Sequence, residues 1–426
     1  MRVLLISANT EQINIPVLPL GTALVAAAAR EAGHKVRLLN LMDDQNTRPR
    51  LEQEIAGLSP EVIGVSVRNI DDQSMRNTRF LLPSVKRVVE GCREFSPAPL
   101  VLGGAGYSIF PESALAYLEG DMGIRGEGEA ALVALLRGLE IKSDLSEVPG
   151  LYLPRIGRHG RAENVGNLNH WPLPLPEDLP WIPADFKDRR LWIPIQTRRG
   201  CPMGCSYCST SAIEGRILRK HAPERVVEAL ARFIERGFSQ FQFVDNTFNL
   251  PPSYAGELCD RIMAAGLKIQ WLGIIYPSRM SEKLMAKMAR AGCRGVSLGH
   301  ESGSDLMLKN LGKRFRKEEV RQVSEMFAEH GIQRMGFLLL GGPGETRETV
   351  LESLAFADSL KLNGLKITVG IRIYPNTPLA QTAVNEGMIT PNDDLLHPKF
   401  YLVPGLEDWL RQTVNDWLKD RPSWTT

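Results

Sequence analysis

The stretch Arg198-Arg199-Gly200-Cys201-Pro202-Met203-Gly204-Cys205-Ser206-Tyr207-Cys208 places three of the six cysteines within eight residues. The other three, Cys92, Cys259 and Cys293, stand alone and read as small buried thiols. A disulfide scaffold would spread its cysteines in pairs through a small secreted chain, so a metal or cluster site fits better. A structural zinc site would want a fourth Cys or His at a regular offset, and none follows nearby. Close spacing of three thiolates lets one loop wrap three corners of an iron–sulfur cube. Three ligands for four irons leave one iron open.

Outward from this loop the chain alternates strands and helices. Six strand candidates lie near 192–196, 240–244, 269–274, 295–298, 333–340 and 366–371, with helices such as Pro223–Arg236, Ser281–Ala291 and Thr346–Leu360 between them. Six βα units make a partial (βα)6 TIM-type barrel, and its working residues belong at the C-terminal strand ends. The cysteine loop follows the first strand. Upstream, Arg2–Ser7, Lys35–Leu41, Val62–Arg68, Pro99–Gly103 and Asp121–Ile124 read as buried strands, with helices at Leu20–Glu31 and Glu127–Leu139. That pattern predicts a doubly wound parallel sheet, Rossmann-like in class α/β. We therefore expect a domain over 1–140, a Pro-rich linker over 141–190, the barrel over 191–385, and a short helical extension over 386–426 whose one amphipathic helix, near Leu406–Leu418, docks through Trp409 and Trp417.

The spacing CxxxCxxC, with Tyr207 before the last cysteine, resembles the radical S-adenosylmethionine (SAM) superfamily. The resemblance implies a [4Fe–4S] cluster on Cys201, Cys205 and Cys208 whose open iron binds SAM. It extends to the later strand ends. Asp245 and Asn246 fall where the superfamily touches SAM. Glu301 and Ser302 match its ribose and methionine contacts, Gly341 and Gly342 its glycine-rich turn, and Tyr374 its adenine-side signature. In that signature Asn376 replaces a glycine, and Asn tolerates a left-handed turn.

No GxGxxG follows the first strand, so a dinucleotide site is not expected. Standing before such a barrel, Pro19 and Gly21, then Gly103, Gly104, Gly106 and Tyr107, then Gly126, Glu127, Gly128 and Glu129 resemble the cobalamin-binding domain of B12-dependent radical SAM enzymes. The similarity covers roughly residues 1–400. The motif DxHxxG is absent, and His34, the domain's one histidine, reads as a surface turn residue. Arg68, Asn69 and Asp71 are the candidates beneath cobalt, or a solvated turn.

The family implies reductive cleavage of SAM to a 5′-deoxyadenosyl radical and methylation of an unactivated carbon or phosphorus centre. A cyclisation or rearrangement, and a non-catalytic corrinoid- or SAM-binding protein, are the alternatives. It also implies an electron donor such as flavodoxin or ferredoxin, while the substrate stays unknown. Charge is balanced, 51 Lys and Arg against 49 Asp and Glu, which gives no argument for nucleic acid. No run reaches the about 18 apolar residues of a membrane span, so a cytoplasmic enzyme is expected.

Overall fold

The computed structural model describes residues 1–10, 18–42, 46–160, 166–179 and 191–425. In the N-terminal part the order is β1 (Arg2–Ser7), α1 (Leu20–Glu31), β2 (Lys35–Asn40), α2 (Thr47–Leu58), β3 (Val62–Ser66), α3 (Leu82–Phe95) and β4 (Leu100–Gly103). Two helices, α4 (Ala105–Ile109) and α5 (Pro111–Leu118), then lead to β5 (Met122–Ile124) and α6 (Gly128–Ile141). A hairpin follows, β6 (Leu151–Leu153) and β7 (Gly157–Arg158). The sheet runs β2-β1-β3-β4-β5-β6-β7, parallel through β5 and antiparallel thereafter. β1 shows why both faces are covered. Val3 and Leu5 pack into a core with Ala26 and Ala29 of α1 and Leu132 and Leu135 of α6. Leu4 and Ile6, on the opposite face, pack with Leu51 and Ile55 of α2 and Val85 and Val89 of α3. The chain reverses between β1 and β3, and in open α/β sheets that switch point is where ligands bind.

The hairpin β6–β7 corrects one expectation: part of the stretch 141–190 is not connector but sheet edge. Pro180 and Pro183 of that stretch lie outside the described residues, as do residues 11–17 of the loop after β1.

The second sheet is built from β8 (Ile193–Ile195), β11 (Gln240–Phe243), β12 (Gln270–Ile275), β13 (Cys293–Glu301), β14 (Gln333–Leu340) and β15 (Gly364–Val369), each parallel to the next. Between the first two lie β9 (Arg198–Arg199), α7 (Thr210–Ile213), β10 (Arg219–Lys220) and α8 (Pro223–Glu235). The remaining outer helices are α9 (Pro252–Ala264), α10 (Glu282–Arg290), α11 (Asp305–Asn310), α12 (Lys317–Glu329) and α13 (Arg347–Ser359). After β15 come β16 (Ile371–Arg372), α14 (Pro378–Asn385), β17 (Phe400–Tyr401), α15 (Glu407–Leu418) and β18 (Trp424–Thr425). The last of these pairs in parallel with β15, a seventh strand that was not expected. β11 reads Gln-Phe-Gln-Phe: Phe241 and Phe243 are fully buried against the helix layer, and Gln240 and Gln242 take the other face.

The two sheets share packing. Ile371, Ile373, Leu379 and Tyr401 belong to the same buried cluster as Leu82, Tyr107 and Phe110 of the N-terminal part. Leu410 and Val414 of α15 dock on the barrel, with Trp409 and Trp417 against the same core.

Candidate cluster and cofactor site

The cysteine loop is pinned at its base. β9 pairs antiparallel with β10, closing residues 200–218 into one excursion. Gly200 has φ 88°, and a Cβ there would stand 2.1 Å from the Ile217 carbonyl, so only glycine fits. The amide of Cys201 donates to Gly215 O at 3.1 Å, and Cys208 N to Cys205 O at 3.3 Å. All three thiols are free and half-buried. Burial pushes the thiols of Cys201 and Cys205 up. Cys208 Sγ accepts from Thr210 N at 3.5 Å. Among the described residues no three His, Cys, Asp or Glu side chains stand close enough to share one ion. Three thiols spread around one loop instead suit a cube that takes each at its own corner.

Asp245, expected to face SAM, lies beneath this loop. It is fully buried and accepts from Thr197 N at 2.7 Å, Thr197 Oγ1 at 2.6 Å and Arg198 N at 3.0 Å, with Arg198 Nε at 3.3 Å. Its acceptor capacity is spent on the strand that launches the loop. Asn246 donates from Nδ2 to Glu214 Oε2 at 2.6 Å. Glu214, which carries no motif and escaped the sequence reading, also accepts from Gly200 N at 3.0 Å and Gln196 Nε2 at 2.9 Å. Burial raises its pKa above the usual carboxylate range.

Around the barrel rim, Glu301 sits at φ 65° where the β13–β14 register shifts. Its Oε1 accepts from Lys313 Nζ at 3.2 Å, and that ammonium lies 5.5 Å from the Tyr207 ring centre. Burial alone would lower the Lys313 pKa; Glu301, Tyr207 and Cys205 outweigh it and hold the pKa well above the usual value. Ser302 turns away from the rim: its hydroxyl lies 2.8 Å from that of Ser353 on α13. The Gly341–Gly342 turn is held by Glu345, which accepts from Gly341 N at 3.1 Å. Gly341 has φ 92°, and Asn376 has φ 59°, the left-handed turn expected of it. Tyr374 sits 6.3 Å from Phe110 of the N-terminal part, ring to ring.

A cavity of about 400 Å³ opens at the strand ends of the first sheet. Pro19, Gly21, Arg68, Gly103, Gly104, Gly126, Glu127, Gly128 and Glu129, all named from the sequence, line it together. It runs between the sheet, at Leu5, Gly64 and Val101, and helices α1 and α6. A Cβ on Gly21 or Gly126 would meet nothing within 4 Å, so these positions leave room for a bulky ligand rather than for packing. The barrel closes the far wall with Gln196, Arg199, Ile213, Glu214 and Val244.

Four of the sequence candidates lie elsewhere. Tyr107 is fully buried beneath Gly123, where a Cβ would stand 1.9 Å from its hydroxyl. Gly106 backs onto the Arg68 carbonyl, 2.9 Å from the position of a Cβ. Asp71 is buried in an ion pair, accepting from Arg372 Nε at 2.9 Å. Asn69 lines a separate small cleft with Ala8, Asn9 and Ser84. Glu127 and Glu129 line the cavity, but their carboxylates serve the domain junction. Arg199 clasps Glu129 with two bonds, 3.2 and 2.5 Å, and Arg219 pairs with Glu127. Burial by itself would raise the Glu129 pKa; the Arg199 guanidinium overcomes this and holds it below the usual range. His221, beside this network, is pushed down to about 4, first by burial and then by Arg199.

Among the described residues no helix is long and apolar enough to cross a membrane. The family model described as B12 binding domain matches residues 6–136, and that of the Radical SAM superfamily matches residues 195–357. An uncharacterized methyltransferase of Pyrococcus horikoshii is 27% identical over 92% of this chain and 85% of its own length. A tryptophan 2-C-methyltransferase of Streptomyces laurentii is 23% identical over 89% of this chain and 74% of its own. The solved structure of a radical S-adenosylmethionine methyltransferase from Kitasatospora setae, with tryptophan substrate and a SAM analogue, shares the fold with a TM-score of 0.83, at 23% identity, over 98% of this chain and 88% of that one. Three thiols on one pinned loop and a glycine-walled cavity that opens beside it, each inside its matching domain, make this chain a cobalamin-dependent radical SAM enzyme.

Proposed function

We propose that the protein is a methyltransferase acting on an unactivated carbon or phosphorus centre of its substrate. The observation that carries this reading is a cavity walled by both domains: its barrel side, Gln196, Arg199 and Glu214, is also the base of the cysteine loop. Relatives along nearly the whole chain bear methyltransferase names.

When bound, the cluster with SAM supplies one-electron cleavage chemistry and cobalamin supplies a methyl carrier. This chain's residues supply the holding. Cys201, Cys205 and Cys208 would ligate the cluster. Tyr207, Glu301, Lys313, Gly341 and Gly342 would seat SAM beside it, with Lys313 offering a cation to a carboxylate and Glu301 an acceptor to hydroxyl or amino groups. Gly21, Gly103, Gly104 and Gly126 would admit the corrinoid's tail, and Arg68, on the same cavity wall, would face the bound group, while Asn69 in its separate cleft would not.

The test is anaerobic reconstitution with iron, sulfide and hydroxocobalamin, followed by incubation with reductant and methyl-labelled SAM. We expect one four-iron cluster and one corrinoid per chain, with label moving onto the corrinoid fraction. SAM consumption with the label always left in free methionine would defeat methyl transfer and favour a cyclase-type outcome.

A further inference from the structure

The six barrel strands contain four charged residues, Arg294, Glu301, Arg334 and Lys366. Arg334 points outward, donating to Leu360 O at 3.3 Å and Lys361 O at 2.9 Å. Arg294 is exposed at the start of β13. Glu301 is paired with Lys313. Lys366 differs from all three. Its neighbours Leu365 and Ile367 are fully buried in the helix-facing core, so strand alternation turns Lys366 and Thr368 to the lumen. Register sets Lys366 opposite Phe337 and Thr368 opposite Leu339. Lys366 is half-buried there and has neither a hydrogen bond nor an ion pair among the described residues.

The lumen wall on the Lys366 side is apolar, while Gln240 and Gln242 of β11 bring amides to the opposite side. Leu272, Phe337 and Leu339 are half-buried on the inward faces. Ile274, in mid-sheet, is still 36% exposed. Barrel side chains that filled their own interior would leave no such exposure. A lumen of this kind asks for an occupant with an apolar body. An ammonium half-withdrawn from water with no partner asks for an anion.

We propose that the lumen binds a substrate with an apolar body and one anionic group, a carboxylate or a phosphate-type oxyanion, and that Lys366 seats that anion. This assignment of substrate class rests on the methyltransferase reading above.

The experiment uses holoenzyme carrying cluster and cobalamin, with 2-naphthylacetate and its neutral isostere 2-naphthylacetamide as probes in isothermal titration. The wild type should prefer the anion by about tenfold or more, since a hydrogen bond to a charged group contributes roughly that much. Lys366→Met should bind both probes alike and keep SAM affinity within about twofold, because a salt-bridged anion is lost and no SAM contact is touched. Equal wild-type affinity for the two probes, no binding of either at millimolar concentration, or a preference that survives Lys366→Met would overturn the proposal. A loss of SAM affinity in the variant would overturn it too, by assigning Lys366 to the cofactor. Labelled-methyl transfer onto the corrinoid, measured in the same preparations, reports separately on the methyltransferase reading.

Discussion

At the scale of single residues, the decisive thiols and glycines were legible because their constraints are local. Cys201, Cys205 and Cys208 fall on one loop, and Asn376 needs only its own backbone angle. The partners were not legible. Glu214, Lys313 and the Arg199–Glu129 clasp join residues far apart in sequence, and no spacing rule announces them. Asp245 shows the cost of reading position without partners: it stands at the expected strand end, yet its carboxylate is filled by Thr197 and Arg198. Asp245→Asn should therefore act on the loop rather than on SAM. Removing one member of a buried ion pair costs about 3–5 kcal/mol. We expect iron content after reconstitution to fall and the melting temperature to drop by several degrees. A variant with full iron content and weakened SAM binding would return Asp245 to the cofactor side.

Among elements, length did not decide what was read: the three-residue strands β5 and β8 were expected, while helices α2 and α3, of 12 and 14 residues, were not named. α1 spans Leu20–Glu31 as expected, because an Ala-rich run ended by Gly33 carries its own boundaries. β18, two residues after a proline, gains its identity only by pairing with β15, and β6–β7 only by extending an existing edge. The first turn of α1 also offers a clean probe of the cavity. Gly21 has open space where a side chain would go, so Gly21→Leu should fold at least as well as wild type, helix propensity favouring Leu over Gly by up to about 1 kcal/mol. The same side chain would occupy ligand space. Corrinoid retained after gel filtration should fall several-fold while cluster absorbance is unchanged. Normal retention would remove Gly21 from the cobalamin site.

Over the whole molecule, stability below neutral pH is set by buried histidines of the barrel and by the Arg199–Glu129 clasp between the domains. His221 and His300 are both held to about 4 by burial, against an ordinary value of 6.5. The unfolded chain thus takes up protons below pH 6.5 that the folded one refuses until about pH 4, so each histidine withdraws stability as pH falls through that window. At pH 5 the loss is about 2 kcal/mol for each. Glu129 acts later and with the same sign: its depressed pKa lends stability above the ordinary glutamate range, lost as pH falls through the folded value. Urea midpoints should therefore decline from pH 7 to pH 5, before carboxylates titrate. A flat profile to pH 5 would contradict the buried neutral histidines. The clasp beside His221 carries a different consequence. Arg199 is both the residue before Gly200 of the cysteine loop and the anchor on Glu129 of the corrinoid domain. The cysteine loop and the cavity wall are thereby surveyed from one benchmark, and the polypeptide alone draws the distance between them.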